Sequence, residues 1–122
     1  MTEKPTVKVP ETEPPDELLI EDIEIGDGTL LGPGDLASVH YVGVAYSTGV
    51  EFDSSWGRGP LEFHPGTGQV IAGWDQGVLG MRVGGRRKLI IPPHLAYGEY
   101  GAGGVIAPGE TLIFVCDLVA ID

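Results

Sequence analysis

The sequence predicts an α+β domain, an antiparallel sheet carrying one short helix on a face, and three observations lead there. Several segments rich in Val, Ile, Leu and Tyr have the length of strands. One stretch repeats its apolar residues at helical spacing. The 20 glycines among 122 residues, about twice the roughly 7 % usual in soluble chains, break the chain into turns rather than long helices. That length suits one hydrophobic core and not two.

Residues 1–17 hold four prolines, seven charges and only Val7 and Val9 as strongly apolar side chains. This is too little to offset the entropy of ordering them, so a flexible acidic, Pro-rich tail is expected there, with the folded unit over 18–122. Leu18, Leu19, Ile20, Ile23 and Ile25 open a strand that turns at Gly26-Asp27-Gly28 and again at Gly32-Pro33-Gly34-Asp35. The Val- and Tyr-rich run from Ala37 to Tyr46 is a second strand, and Ser47-Thr48-Gly49 joins it as a hairpin to Val50-Glu51-Phe52. Between Ile71 and Met81 the residues Ile71, Trp74, Val78 and Leu79 share one helical face. Gly73, Gly77 and Gly80 weaken that helix, so packing against the sheet has to hold it. Lys88 to Ile91 reads as a strand stopped by Pro92-Pro93. Thr111 to Ile121 is long enough to cross the middle of a sheet, with Leu112, Phe114, Cys116 and Leu118 on one face. Its other face, with Ile113, Val115 and Val119, is also apolar, which leaves open a covering segment or a partner surface.

Asp and Glu outnumber Lys and Arg by 18 to 7, and eight units of the resulting −11 fall within the first 36 residues. Such a balance repels nucleic-acid phosphates and anionic membranes, so neither is an expected partner. Arg86-Arg87-Lys88 is expected as a solvent-facing strand segment. Cys116, the single cysteine, is expected as a small buried apolar residue, and the chain shows no sign of an oxidising compartment. The N-terminus lacks a secretory pattern and no apolar run reaches the length of a membrane span, so a soluble cytoplasmic protein is expected.

Phosphate loops, nucleophile elbows and metal-ligand pairs each need residues at known spacing, and the sequence has none of them. His40, His64 and His94 stand apart, and no metal or other cofactor is expected. What remains is a concentration of aromatic and aliphatic residues beside loops. On pattern alone Trp74 and Phe114 fit plain core positions, and Asp53 fits the start of a turn.

Five segments in order carry a resemblance: Val39-His40-Tyr41-Val42-Gly43, Phe52-Asp53-Ser54-Ser55, Gly68-Gln69-Val70-Ile71-Ala72-Gly73-Trp74, Pro92-Pro93-His94-Leu95-Ala96-Tyr97-Gly98 and Thr111-Leu112-Ile113-Phe114. Over about Leu18 to Ile121 the chain resembles the FKBP family of peptidyl-prolyl cis-trans isomerases. The resemblance implies a twisted antiparallel sheet wrapped around one short helix, with a shallow apolar pocket between them. It implies Trp74 as the floor, Tyr41, Phe52, Val70, Ile71, Tyr97 and Phe114 as walls, and Asp53 at the edge with Arg58 pairing it. Leu61, Phe63, Gln69, Val105 and Ile106 are the further substrate-binding positions it implies, and Asp53, Ile71, Trp74 and Tyr97 the catalytic ones, with the Ile71 N–H and the Tyr97 hydroxyl on substrate carbonyls. Leu61, where an aromatic is frequent, and Ala102, where many relatives carry histidine, depart from the common pattern at the rim.

The implied activity is isomerisation of X-Pro bonds by a monomer, with proline-containing polypeptides as substrates and macrolide inhibitors such as rapamycin in the same pocket. Such rotation breaks no covalent bond, so it needs no nucleophile. A rival reading is an FKBP-like module that binds without catalysis, and a third is an interaction domain using the outer face of the last strand.

Overall fold

The structure, a computed structural model, describes residues 3–122. Six strands run in chain order: β1 (Leu19–Glu24), β2 (Ala37–Ala45), β3 (Glu51–Ser54), β4 (Leu61–Phe63), β5 (Arg86–Ile91) and β6 (Leu112–Ile121). One helix, α1 (Ala72–Gly77), lies between β4 and β5. The sheet has the order β1-β5-β6-β2-β3, with β4 pairing β2, and every pairing is antiparallel. This is the α+β architecture the sequence predicts. No helix among the described residues is long and apolar enough to cross a membrane.

β6 sits between β5 and β2 because it is apolar on both sides. Leu112, Phe114, Cys116 and Leu118 face inward and join Val39, Trp74, Val78, Leu89 and Ile91 in the main core. Ile113 faces the other way and forms a second, smaller cluster with Val44, Tyr46 and Ile90. The chain's own N-terminal segment covers that cluster: residues 3–17 carry no helix or strand, yet Val7 and Val9 pack on it. The Tyr46 hydroxyl donates to the Thr12 carbonyl at 2.8 Å, and Arg86 Nη2 donates to the Glu3 carbonyl at 2.8 Å.

The helix is shorter than its apolar spacing predicts, covering 72–77 rather than 71–81. Val78 N–H closes it on the Trp74 carbonyl, and Gly80 then takes φ of 87°, which turns the chain away. Two of the glycines that weaken α1 are also what allow it to lie on the sheet. A Cβ on Gly77 would stand 2.8 Å from Leu89 Cδ1, and one on Gly73 would overlap Ile91.

Arg87 corrects the expectation that 86–88 faces solvent. The pleat sends Arg87 inward, 8 % exposed, where it donates to the carbonyls of Gly77 and Leu79 at 2.8 and 2.9 Å and pairs with Asp22 at 2.7 Å. It thereby satisfies carbonyls that the end of a helix leaves open. Arg86, on the outer face, is held by Asp117 at 2.6 Å.

Candidate active site

Four strands and the start of the helix deliver side chains to one cavity of about 190 Å³. β2 supplies Tyr41, β3 supplies Phe52 and Asp53, β4 supplies Leu61, and β6 supplies Phe114. The segment entering α1 adds Gln69, Val70 and Ile71, the helix adds Trp74, and the loop after β5 adds Tyr97. Ten of the fourteen residues proposed from the sequence line this cavity. Arg58 borders the neighbouring depression beside Pro60. Phe63 is buried behind Trp74, and Ile106 is buried in the core. Val105 lies 63 % exposed on the loop tip, in a separate depression that contains Phe52. Ala102, which departs from the common pattern, is half-buried and packs on the core, whereas Leu61 lines the cavity.

Trp74 is 3 % exposed and sits at the centre of an aromatic cluster. Its ring meets Tyr41 at 5.0 Å and Phe114 at 5.3 Å, both nearly edge to face, and Phe63 at 5.5 Å. Phe52 meets Phe114 edge-on at 5.5 Å. Such contacts align the positive edge of one ring with the negative face of another and fix the orientation of each wall. The rings close up because β2 has a glycine beneath them: a Cβ on Gly43 would stand 2.7 Å from both Phe52 and Phe114. The Trp74 indole N–H is buried and has no hydrogen-bond partner, so nothing polar in the protein fills the floor.

One edge of the cavity is polar and tightly organised. The Tyr41 hydroxyl donates to Asp53 Oδ2 at 2.6 Å, and Arg58 Nη2 donates to Asp53 Oδ1 at 2.8 Å and to the Tyr41 oxygen at 3.2 Å. Burial first, and then the bond to the Asp53 carboxylate, push the Tyr41 hydroxyl up to about 12, so it remains a donor at neutral pH. Arg58 is itself anchored by the Ser54 carbonyl, at 3.0 Å from Nε. The ion pair is half-exposed, which limits its contribution to stability but leaves its geometry in place.

Residues outside the cavity position it. Asp75, in the first turn of α1, accepts the N–H groups of Gly66 and Gly68, both at 2.9 Å, and so clamps the loop that presents Gln69 and Val70. Gln69 accepts the His64 N–H at 2.6 Å. Ser55 is buried; its hydroxyl meets the Tyr41 N–H and His40 Nδ1, and His40 stacks on Trp56 at 4.5 Å. The acid at the start of a helix was the one sequence signal that could have marked Asp75.

The arrangement is a cup walled mainly by aromatic and aliphatic side chains, with polar side-chain groups at Asp53, Gln69 and the hydroxyls of Tyr41 and Tyr97. It is built to desolvate a small apolar ring while offering hydrogen bonds at the rim. The family model for FKBP-type peptidyl-prolyl cis-trans isomerases matches residues 28–119. An FK506-binding protein of Streptomyces anulatus is 69 % identical over 121 residues, covering 98 % of each chain. A probable FK506-binding protein of Corynebacterium glutamicum is 49 % identical over 118 residues, covering 97 % of this chain and 98 % of its own. The crystal structure of AtFKBP13 superimposes with a TM-score of 0.79 at 40 % identity, over 86 % of this chain and 93 % of the other. With most of its length matched in sequence and in fold, this chain belongs to the FKBP-type peptidyl-prolyl cis-trans isomerase family.

Proposed function

We propose that this isomerase takes the proline ring of an X-Pro segment into the cup over Trp74 and lowers the barrier to rotation about the bond before it. The observation that carries the proposal is the aromatic cup with its single organised polar edge. A planar amide is stabilised by resonance, with a rotation barrier of about 18–20 kcal/mol. Its charge separation is best solvated by water, and the twisted transition state has lost most of it. An apolar surround therefore penalises the planar amide more than the twisted one.

Trp74, Phe52 and Phe114 supply that surround. The Ile71 N–H stands at the helix entrance with no acceptor among the described residues, and it is suited to bind a substrate carbonyl. The Tyr97 hydroxyl, on a 40 % exposed side chain, suits a second one. Asp53, held by Tyr41 and Arg58, presents fixed negative charge where the rotating carbonyl group passes. Each tenfold acceleration asks about 1.4 kcal/mol of these groups together. Macrolide inhibitors such as rapamycin would occupy the same cup. The reading also takes the protein as a cytoplasmic monomer.

The test is cis-to-trans conversion of a Leu-Pro reporter peptide with and without the protein, then with rapamycin. Acceleration that rapamycin abolishes supports the reading. Acceleration that persists removes macrolide binding from it and directs attention to Leu61 and Ala102. Asp53→Ala and Tyr97→Phe are expected to lower turnover with an unchanged circular-dichroism spectrum, and full activity in both would strike those residues from the site.

A further inference from the structure

The exposed large apolar side chains of the molecule fall mainly into two groups. One lies along β1 and the turn after it, at Leu19, Ile20, Ile23, Ile25 and Leu30. The other lies at the cavity and at a depression that shares Phe52 with it, at Val50, Leu61, Tyr97 and Val105. Leu61 and Tyr97 are accounted for as lining. Val50 and Val105, 62 % and 63 % exposed, are not: they flank a second depression of about 400 Å³ between the β2–β3 turn and the loop tip at 103–105. Ala45, Thr48 and Glu51 line it on the turn side and Gly104 on the loop side, and a further wall is Phe52, the same residue that walls the cup over Trp74. The two hollows thus share one lining side chain.

We propose that this second depression is a subsite for the same polypeptide substrate, seating an apolar side chain two residues away from the proline. The inference rests on the proposed use of the cup. An extended chain advances about 3.3–3.6 Å per residue, so two residues span roughly the breadth of the Phe52 ring. Side chains two apart also point to the same face of an extended segment, so a proline in the cup directs residue i±2 toward Val50 and Val105. Chemistry on the rim narrows the choice further. The Glu51 carboxylate lines the depression and is paired with Lys4 at 3.0 Å, so a charged occupant would compete with that pair while an apolar one would not. The β2–β3 turn thereby becomes a specificity element, and Val50 a residue that chooses among substrates without touching the rotating bond.

The experiment compares kcat/KM for peptides sharing a Leu-Pro core and carrying Leu, Ser or Glu two residues before or two residues after the proline. It uses the full chain and its Val50→Ser variant. A short Leu-Pro reporter lacking those positions serves as the control. On one side of the proline the unaltered protein should favour Leu over Ser by roughly fivefold, the effect of half-burying such a side chain, with Glu poorest. Val50→Ser should bring the Leu-to-Ser ratio close to one and leave turnover of the short reporter unchanged. No preference on either side, or a preference that survives Val50→Ser, would overturn the subsite while the cup's role stands. Failure of the unaltered protein to turn over even the short reporter would overturn the proposed use of the cup and this inference with it.

Discussion

The two faces of the sheet start from similar material and end with different properties. β6 sends Leu112, Phe114, Cys116 and Leu118 to one side and Ile113 to the other, and β2 and β5 add apolar residues to both. On the inner face a helix with two buried glycines comes close enough to lock the side chains of Leu89 and Ile91. Arg87 ties its last carbonyls to the sheet. On the outer face the cover is an irregular segment that contributes Val7, Val9 and a few backbone carbonyls. Ordering such a segment costs about 1–2 kcal/mol per residue, against about 1.5–3 kcal/mol for a fully buried valine. The inner face is therefore held by close packing, whereas the cover of the outer face buries little apolar surface against the cost of ordering it. What distinguishes the site-bearing face from the shielded one is how closely its cover packs, not the hydrophobicity of the strands.

That contrast can be broken at several points. Trp74→Ala removes the largest inner side chain and should cost about 3–5 kcal/mol, read as a fall in the urea midpoint, with turnover lost as well. Arg87→Met keeps the stem but leaves the carbonyls of Gly77 and Leu79, at and just past the helix end, and Asp22 without their donor; a loss of about 2–3 kcal/mol is expected. A neutral result there would show that α1 is held by its apolar face alone. Gly43→Ala should cost about 1–2 kcal/mol through overpacking and lower turnover out of proportion, because Phe52 and Phe114 must both move. Equal retention of activity and stability would mean that the rings tolerate displacement. Deleting residues 1–17 should change stability by less than about 1 kcal/mol and leave turnover intact. A loss comparable to that of Trp74→Ala would make the outer cover part of the core and end the distinction.

Much of this was legible in the sequence where the signal was periodic. β6 and its inward set follow from strand alternation, β2 from its Val- and Tyr-rich run, β5 from the run stopped by Pro92-Pro93, and the aromatic cup from the motifs around Tyr41, Phe52, Trp74 and Tyr97. Signals that depend on one partner were not legible. β4 is three residues long between Pro60 and Pro65, too short for any period to show. Arg87 reads as a solvated charge until the pleat places it beneath the helix end, and α1 reads as longer because Val78 and Leu79 keep its apolar spacing past the turn at Gly80. Asp75 shows in the sequence only as an acid at the start of a helix, and its partners, Gly66 and Gly68, are set by the fold. Val7 and Val9 read as too few to order a segment, and the structure places both against the outer cluster.

The cup also carries its own optical reporter. The chain has two tryptophans: Trp74, in the floor, and Trp56, stacked against His40, each with a buried indole N–H that meets no acceptor. An indole screened from water emits at shorter wavelength than a solvated one, and a ring stacked on an imidazole is open to quenching. Replacing Trp56 with Phe would leave an emission band arising from the pocket alone. Occupancy of the site could then be followed by fluorescence, without a label and without a turnover assay.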